Sequence, residues 1–131
     1  MSAAKRTVAL SREEFRRLIS EAIVSLPPSV VERLNNVEIV VKARPTSEEL
    51  AMAGTDSGDT LFGLYTGIPL TARSSSYGMV LPDKITLYQR SIEEGCRTKR
   101  EVQAQIRTTL LHEIGHHVGL SEDDLDQAGY A

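Results

Sequence analysis

Cysteine is almost absent from this chain, with Cys96 the single example in 131 residues. That excludes an internal disulfide and suits a reducing compartment. Long apolar runs are missing too. No segment approaches the length of a membrane span, and residues 1–7 lack the apolar run of a signal peptide, so a cytoplasmic location is expected. Charge of one sign is in little excess. The net charge of −3 supplies no electrostatic reason to bind nucleic acid or an anionic membrane, and neither is expected as a partner. The basic cluster Arg97-Thr98-Lys99-Arg100 is short and reads as the solvated start of a helix. Repeats and low-complexity segments are lacking, and nothing marks a second domain. With 40% hydrophobic and 25% charged residues, the chain has the balance of a globular protein and the length for one core. A single domain over residues 1–131 is expected, with residues 1–10 as a flexible N-terminal tail.

The periodicities predict a helix, three strands and a helix. Ser11-Arg12-Glu13-Glu14 is a capping box, and Phe15, Leu18, Ile19, Ala22, Ile23 and Leu26 make one apolar face behind it. Pro27-Pro28 stops that helix, and Ser29 to Asn35 can add a short one. Val37 to Ala43 is a β-branched strand closed by Pro45, and Thr46 to Ala53 suits one or two helical turns. Gly54 to Asp59 reads as a loop. Thr60 to Thr66 reads as a second strand, ended by Gly67-Ile68-Pro69. The polar run Thr71 to Gly78 is expected to be mobile. Lys84 to Tyr88 alternates as a half-buried third strand, and Thr98 to Glu101 is a capping box that opens the last helix.

Histidine is scarce but not scattered. All three, His112, His116 and His117, fall in six consecutive residues, in the pattern H-E-x-x-H. On a helix of about 100° per residue, His112 and His116 lie four positions apart, one turn from each other on one face. Two neutral imidazoles so placed can reach one Zn²⁺ at roughly 2.0–2.1 Å. Glu113 lies on the flank of that face, where a carboxylate can take a proton from metal-bound water rather than bind the metal. Val102, Ile106, Leu110, Ile114 and Val118 form the apolar stripe of the helix, with Leu111 at its edge. His112 and His116 fall off this stripe, near Gln105 and Thr109. His117 falls within it and reads as a packed or supporting histidine rather than a ligand. Gly119 then suits a left-handed helix end, after which the chain can double back.

Zinc hydrolysis needs three protein ligands and an open position for water. The residues after Gly119 hold no histidine or cysteine but do contain Glu122, Asp123, Asp124 and Asp126. These carboxylates are the leading candidates for the third ligand. Ser121 to Asp124 reads equally as the cap of a last short helix.

The segment His112-Glu113-Ile114-Gly115-His116-His117-Val118-Gly119-Leu120-Ser121-Glu122 resembles the zincin metallopeptidase pattern HExxHxxGxx(D/H), and specifically the bacterial mini-zincin family. Gly63 to Thr71 and Leu81 to Tyr88 resemble that family's middle segments, so the likeness runs over roughly residues 10 to 131. It implies an α+β zincin-like domain, a small mixed sheet packed against an N-terminal helix and the H-E-x-x-H helix. It implies His112 and His116 as ligands to one Zn²⁺ per chain and Glu113 as catalytic base. Where the family pattern has Asp, this chain has Glu122, one methylene longer, and Asp123 stands next to it as runner-up. The chain departs from the larger metzincins, because Met1, Met52 and Met79 all precede the motif and no methionine turn can follow it. Tyr130 can fill that place or offer its hydroxyl to a bound water or oxyanion; an exposed tail residue is the alternative. Cys96 could cap the metal, or be a free thiol.

The implied activity is hydrolysis of peptide bonds in a peptide or protein substrate, held as an extended strand against an edge near Phe62 to Thr66. A homodimer is open. Two rivals are weighed against a peptidase. Bacterial zinc-dependent RNA-processing endonucleases use three histidines where this chain has Glu122, and need more positive charge. A catalytically silent zincin-fold domain, binding metal or another protein, fits the small size and the absent methionine turn.

Overall fold

Ser11 starts the first helix: its hydroxyl accepts the Glu14 N–H at 3.0 Å, and Glu13 and Glu14 place negative charge in the first turn. This helix, α1, spans Arg12–Val24 in a computed structural model that describes residues 8–35, 37–54, 61–67 and 83–118, with the backbone alone for 116–118. Phe15, Ile19 and Ala22 recur at helical spacing and are buried, with Leu18 and Ile23 packed beside them. Leu26 joins the core from beyond the helix end. Pro28 becomes the first residue of α2 (Pro28–Leu34), where its missing N–H costs nothing.

Strands β1 (Val37–Lys42), β2 (Gly63–Thr66) and β3 (Asp83–Tyr88) form a mixed sheet in the order β1-β3-β2. β1 runs parallel to β3, with Ile39 opposite Ile85 and Val41 opposite Leu87; β2 runs antiparallel, with Gly63 opposite Leu87 and Tyr65 opposite Ile85. The fold is therefore α+β. Among the described residues β2 is an edge strand, shorter than the segment expected from Thr60: Leu61 and Phe62 precede it, and Thr60 lies outside the described residues.

β3 differs from the expected half-buried strand. Ile85, Thr86, Leu87 and Tyr88 are all buried, so both faces of the strand are covered. The cause is its central place: Ile85 and Leu87 join the core with Val41, while Tyr88 lies on the opposite face, next to Glu49 of α3 (Ser47–Met52). Burial first, and then the Glu49 carboxylate, push the Tyr88 phenol above its ordinary range.

Glu49 closes a full capping box, accepting the Thr46 N–H while its own N–H donates to the Thr46 hydroxyl, and it also accepts from Lys42 Nζ at 2.9 Å. Burial raises its pKa, but the Thr46 and Lys42 bonds outweigh that and hold it at about 2, below the ordinary 4.5. Its stabilisation is thus complete above the unfolded value and lost as pH falls through the folded one. Glu49→Gln should cost about 1–2 kcal/mol at pH 7, and the difference from wild type should shrink as pH falls from 4.5 toward 2. Urea unfolding of both proteins across that range measures it.

An additional helix, α4 (Gln89–Glu94), follows β3 without a loop and is not evident from periodicity. Its Gln89 and Glu93 are buried polar residues satisfied by the chain before α1. Glu93 Oε2 accepts the Leu10 N–H at 3.1 Å and Gln89 Nε2 at 2.9 Å, and Gln89 Nε2 also donates to the Leu10 carbonyl. Arg12 reaches both Gln89 Oε1 and the Val41 carbonyl, and Arg90 pairs with Glu93. Val8 to Leu10 therefore do not belong to a flexible tail of residues 1–10. Val8 N–H donates to the Cys96 carbonyl, and Leu10 is a core residue. Cys96 is itself buried in the core, where burial and then Glu101 and Glu93 push its thiol upward. It precedes the final helix, on which His112 lies roughly 20 Å further along the axis, at about 1.5 Å per residue. Cys96 cannot cap a metal there. Among the described residues no helix is long and apolar enough to cross a membrane.

Candidate metal centre and edge strand

The final helix, α5 (Lys99–Val118), opens as expected, with the Thr98 hydroxyl accepting the Glu101 N–H at 3.1 Å. The Glu101 carboxylate reaches one residue further back than a regular capping box, to the Arg97 N–H. Val102, Ile106, Leu110 and Ile114 are buried along one stripe, and Leu111 is as fully buried as they are, inside the core rather than at its edge. This packing orients α5: with the stripe against α1 and the sheet, residues 105, 108, 109 and 112 form a neighbouring ridge.

Gly63 brings β2 onto that ridge. A Cβ built there would lie 2.6 Å from Thr109 Cγ2 and 3.3 Å from the Thr86 carbonyl oxygen, so a side chain would force the strand off the helix. The close approach leaves a cavity of about 280 Å³ beside His112 and Glu113, walled by Leu61 and Phe62 on one side and by Gln105, Thr108 and Thr109 on the other.

The strand also reaches the motif directly. The Phe62 carbonyl accepts the Tyr88 N–H, and the alternation of an antiparallel ladder then turns the N–H groups of Gly63 and Tyr65 away from β3. Tyr65 N–H donates to Glu113 Oε1 at 2.9 Å. The Tyr65 hydroxyl donates to Asp83 Oδ2 at 2.8 Å, tying the same residue to the start of β3. The carboxylate of the H-E-x-x-H motif is thus held at the outer edge of an edge strand, next to a half-buried His112.

His116 occupies the backbone position one helical turn after His112 on the unbroken α5, and His117 follows it; their side chains lie outside the described residues. Gly119, Glu122, Asp123, Asp124, Asp126 and Tyr130 also lie outside, as does the run Thr71 to Gly78. Among the described residues no three His, Cys, Asp or Glu side chains group as a metal site. Three contributors escape a reading of side-chain types. The Tyr65 N–H is a backbone donor, which any residue but proline supplies. Thr108 and Thr109 carry no motif, and only their helical spacing from His112 points to them.

Comparison with known proteins bears on the fold and the family. No curated protein matches the chain. A solved structure described as a conserved hypothetical protein from Thermo thermophilus is similar to it, with a TM-score of 0.57 and 24% identity, over 92% of this chain and 100% of that one. That likeness concerns the fold alone. The family model described as Zincin-like metallopeptidase matches residues 34–130, a span that includes β2, β3 and the whole of α5. With most of its length matched, and with H-E-x-x-H on a helix packed against an edge strand, the chain belongs to the zincin-like metallopeptidase family.

Proposed function

We propose that this protein is a zinc-dependent metallopeptidase in which Glu113 serves as general base. The observation that carries the reading is the Tyr65 N–H to Glu113 bond, which sets a carboxylate beside His112 at the open edge of β2. An extended peptide can be held along such an edge by main-chain hydrogen bonds. His112, His116 and Glu122 would hold the ion, a nitrogen and oxygen donor set that suits zinc and leaves a fourth position open. When bound, zinc supplies Lewis-acid chemistry, lowering the pKa of the attacking water and polarising the scissile carbonyl. Glu113 takes the proton of that water and delivers it to the leaving amine. The outward N–H of Gly63 keeps the peptide extended, His117 supports the helix face, and the Tyr130 hydroxyl steadies the developing oxyanion. The substrate is a peptide or protein in the cytoplasm.

Protein purified without chelator or added zinc should contain about one zinc per chain. His112→Ala should lose tight binding yet keep a cooperative melt, because the core of α1, α5 and the sheet is built without the metal. Loss of the melt in that variant would make the zinc structural. Competition with a chelator tests the third ligand: Glu122→Ala should weaken zinc binding at least about tenfold and Asp123→Ala much less. The reverse order would transfer the role to Asp123.

A further inference from the structure

We propose that Tyr65 and Asp83 are positioning residues for Glu113, a tether that aims the Tyr65 N–H of the edge strand at the carboxylate and holds it there. The proposal rests on the peptidase reading above for the role of Glu113 as base. Among the described residues β2 has one strand neighbour, β3, and four residues in that ladder. The ladder uses the N–H groups of Leu64 and Thr66, which alternate with that of Tyr65. It therefore does not by itself fix how the outward Tyr65 N–H is aimed. A small rotation of so short a strand about its own axis moves that N–H off Glu113 while the ladder bonds merely bend.

The side chain of Tyr65 supplies what the ladder does not. Its ring leaves the sheet on the face of Ile85, the residue directly opposite, and packs against the core. At the far end of the ring the hydroxyl donates to Asp83 Oδ2 at 2.8 Å. A tyrosine has two side-chain torsions, so fixing its ring and its hydroxyl leaves the backbone of residue 65 little freedom to turn. Asp83 opens β3, the central strand, opposite Val37 of β1, so the tether is anchored in the middle of the sheet. Gly67 makes room for it. A Cβ there would lie 2.8 Å from Asp83 Cγ and 3.2 Å from Tyr65 Cε1, so the carboxylate rests directly on the glycine backbone. One residue thus meets Glu113 through its N–H at 2.9 Å and the centre of the sheet through its hydroxyl. A base held in this way needs little reorganisation as it takes a proton, and its misplacement slows the chemistry more than it weakens substrate binding.

The test reads the hydrogen bond and the turnover separately. Amide hydrogen exchange is followed by NMR in the full chain, with and without zinc. Tyr65→Phe removes the hydroxyl alone, and Gly67→Ala pushes the Asp83 carboxylate aside while keeping both tethered groups. Each should speed exchange of the residue-65 amide about tenfold, as Glu113→Ala does, while the Leu64 and Thr66 amides keep their protection. Either variant suffices if the other does not fold. Asp83→Asn, which retains an acceptor oxygen, should keep most of the protection. On a peptide selected by cleavage from a broad library, zinc-loaded Tyr65→Phe should lose about tenfold in kcat, with KM and zinc affinity little changed. Asp83→Asn should stay near wild type in the same assay. An unchanged residue-65 amide in the folded variants would overturn the proposal. So would loss of protection across Leu64, Tyr65 and Thr66 together, which would make the tether a support of the strand and not of Glu113. Unchanged kcat in a variant whose residue-65 amide has opened would overturn it as well. Wild-type protein that cuts nothing, with the amide results as expected, would discard the peptidase reading and leave the tether on Glu113 standing.

Discussion

Glu113→Gln should lower peptide hydrolysis by roughly two orders of magnitude or more while leaving zinc stoichiometry nearly unchanged. The substitution is a clean probe because the glutamine carbonyl oxygen can still accept the Tyr65 N–H that Glu113 Oε1 accepts at 2.9 Å. The helix and strand keep their connection, and what is lost is the capacity to take up a proton. A ligand change would behave differently, lowering zinc content and activity together. Steady-state turnover, with zinc measured on the same samples, separates the two. Equal activity in the variant would remove Glu113 from the mechanism. Inactivity in both proteins, with zinc present, would favour a silent metal-binding or interaction domain of the same fold.

Glu93→Ala is expected to be the most damaging change outside the motif, costing about 2–4 kcal/mol. Glu93 is 2% exposed and takes the Leu10 N–H and Gln89 Nε2 on one oxygen and Arg90 on the other. Removing it leaves two buried donors without their acceptor and loosens the chain that leads into α1. Since a domain of this kind holds only about 5–15 kcal/mol in total, the loss should show as a clear drop in the urea midpoint. Glu93→Gln, which keeps one acceptor oxygen, should cost less. If alanine there is neutral, the network is not what pins Val8 to Leu10.

The legible parts of this fold are those in which chemistry is local. Ser11 and Thr98 cap the helices that their spacing predicts, because a cap is decided within three residues. The i, i+4 apolar repeats of α1 and α5 lead to Phe15, Ile19, Ala22, Val102, Ile106 and Leu110, all buried. The short apolar strands are legible too, though β2 begins later than Thr60, since strand ends depend on a partner's ladder. Less legible are features whose cause lies across the fold. Nothing in Lys84 to Tyr88 says that both faces are covered, because Thr86 and Tyr88 suit a wet face as well as a dry one. Gln89 and Glu93 look like ordinary surface residues until Leu10 and Arg12 arrive from nearly eighty positions away.

The same division holds at the candidate site. Sequence alone determined the family pattern, the helix that carries it and the spacing of His112 and His116, since one continuous helix converts residue number into direction. Tertiary structure decided what Glu113 faces. That depended on β2 becoming the edge of the sheet, on the ladder turning the Tyr65 N–H outward, and on Gly63 letting the strand lie against Thr109. Each of these is a contact between segments far apart in the chain, fixed by packing and by the need to satisfy backbone hydrogen bonds, and none is written in any local pattern.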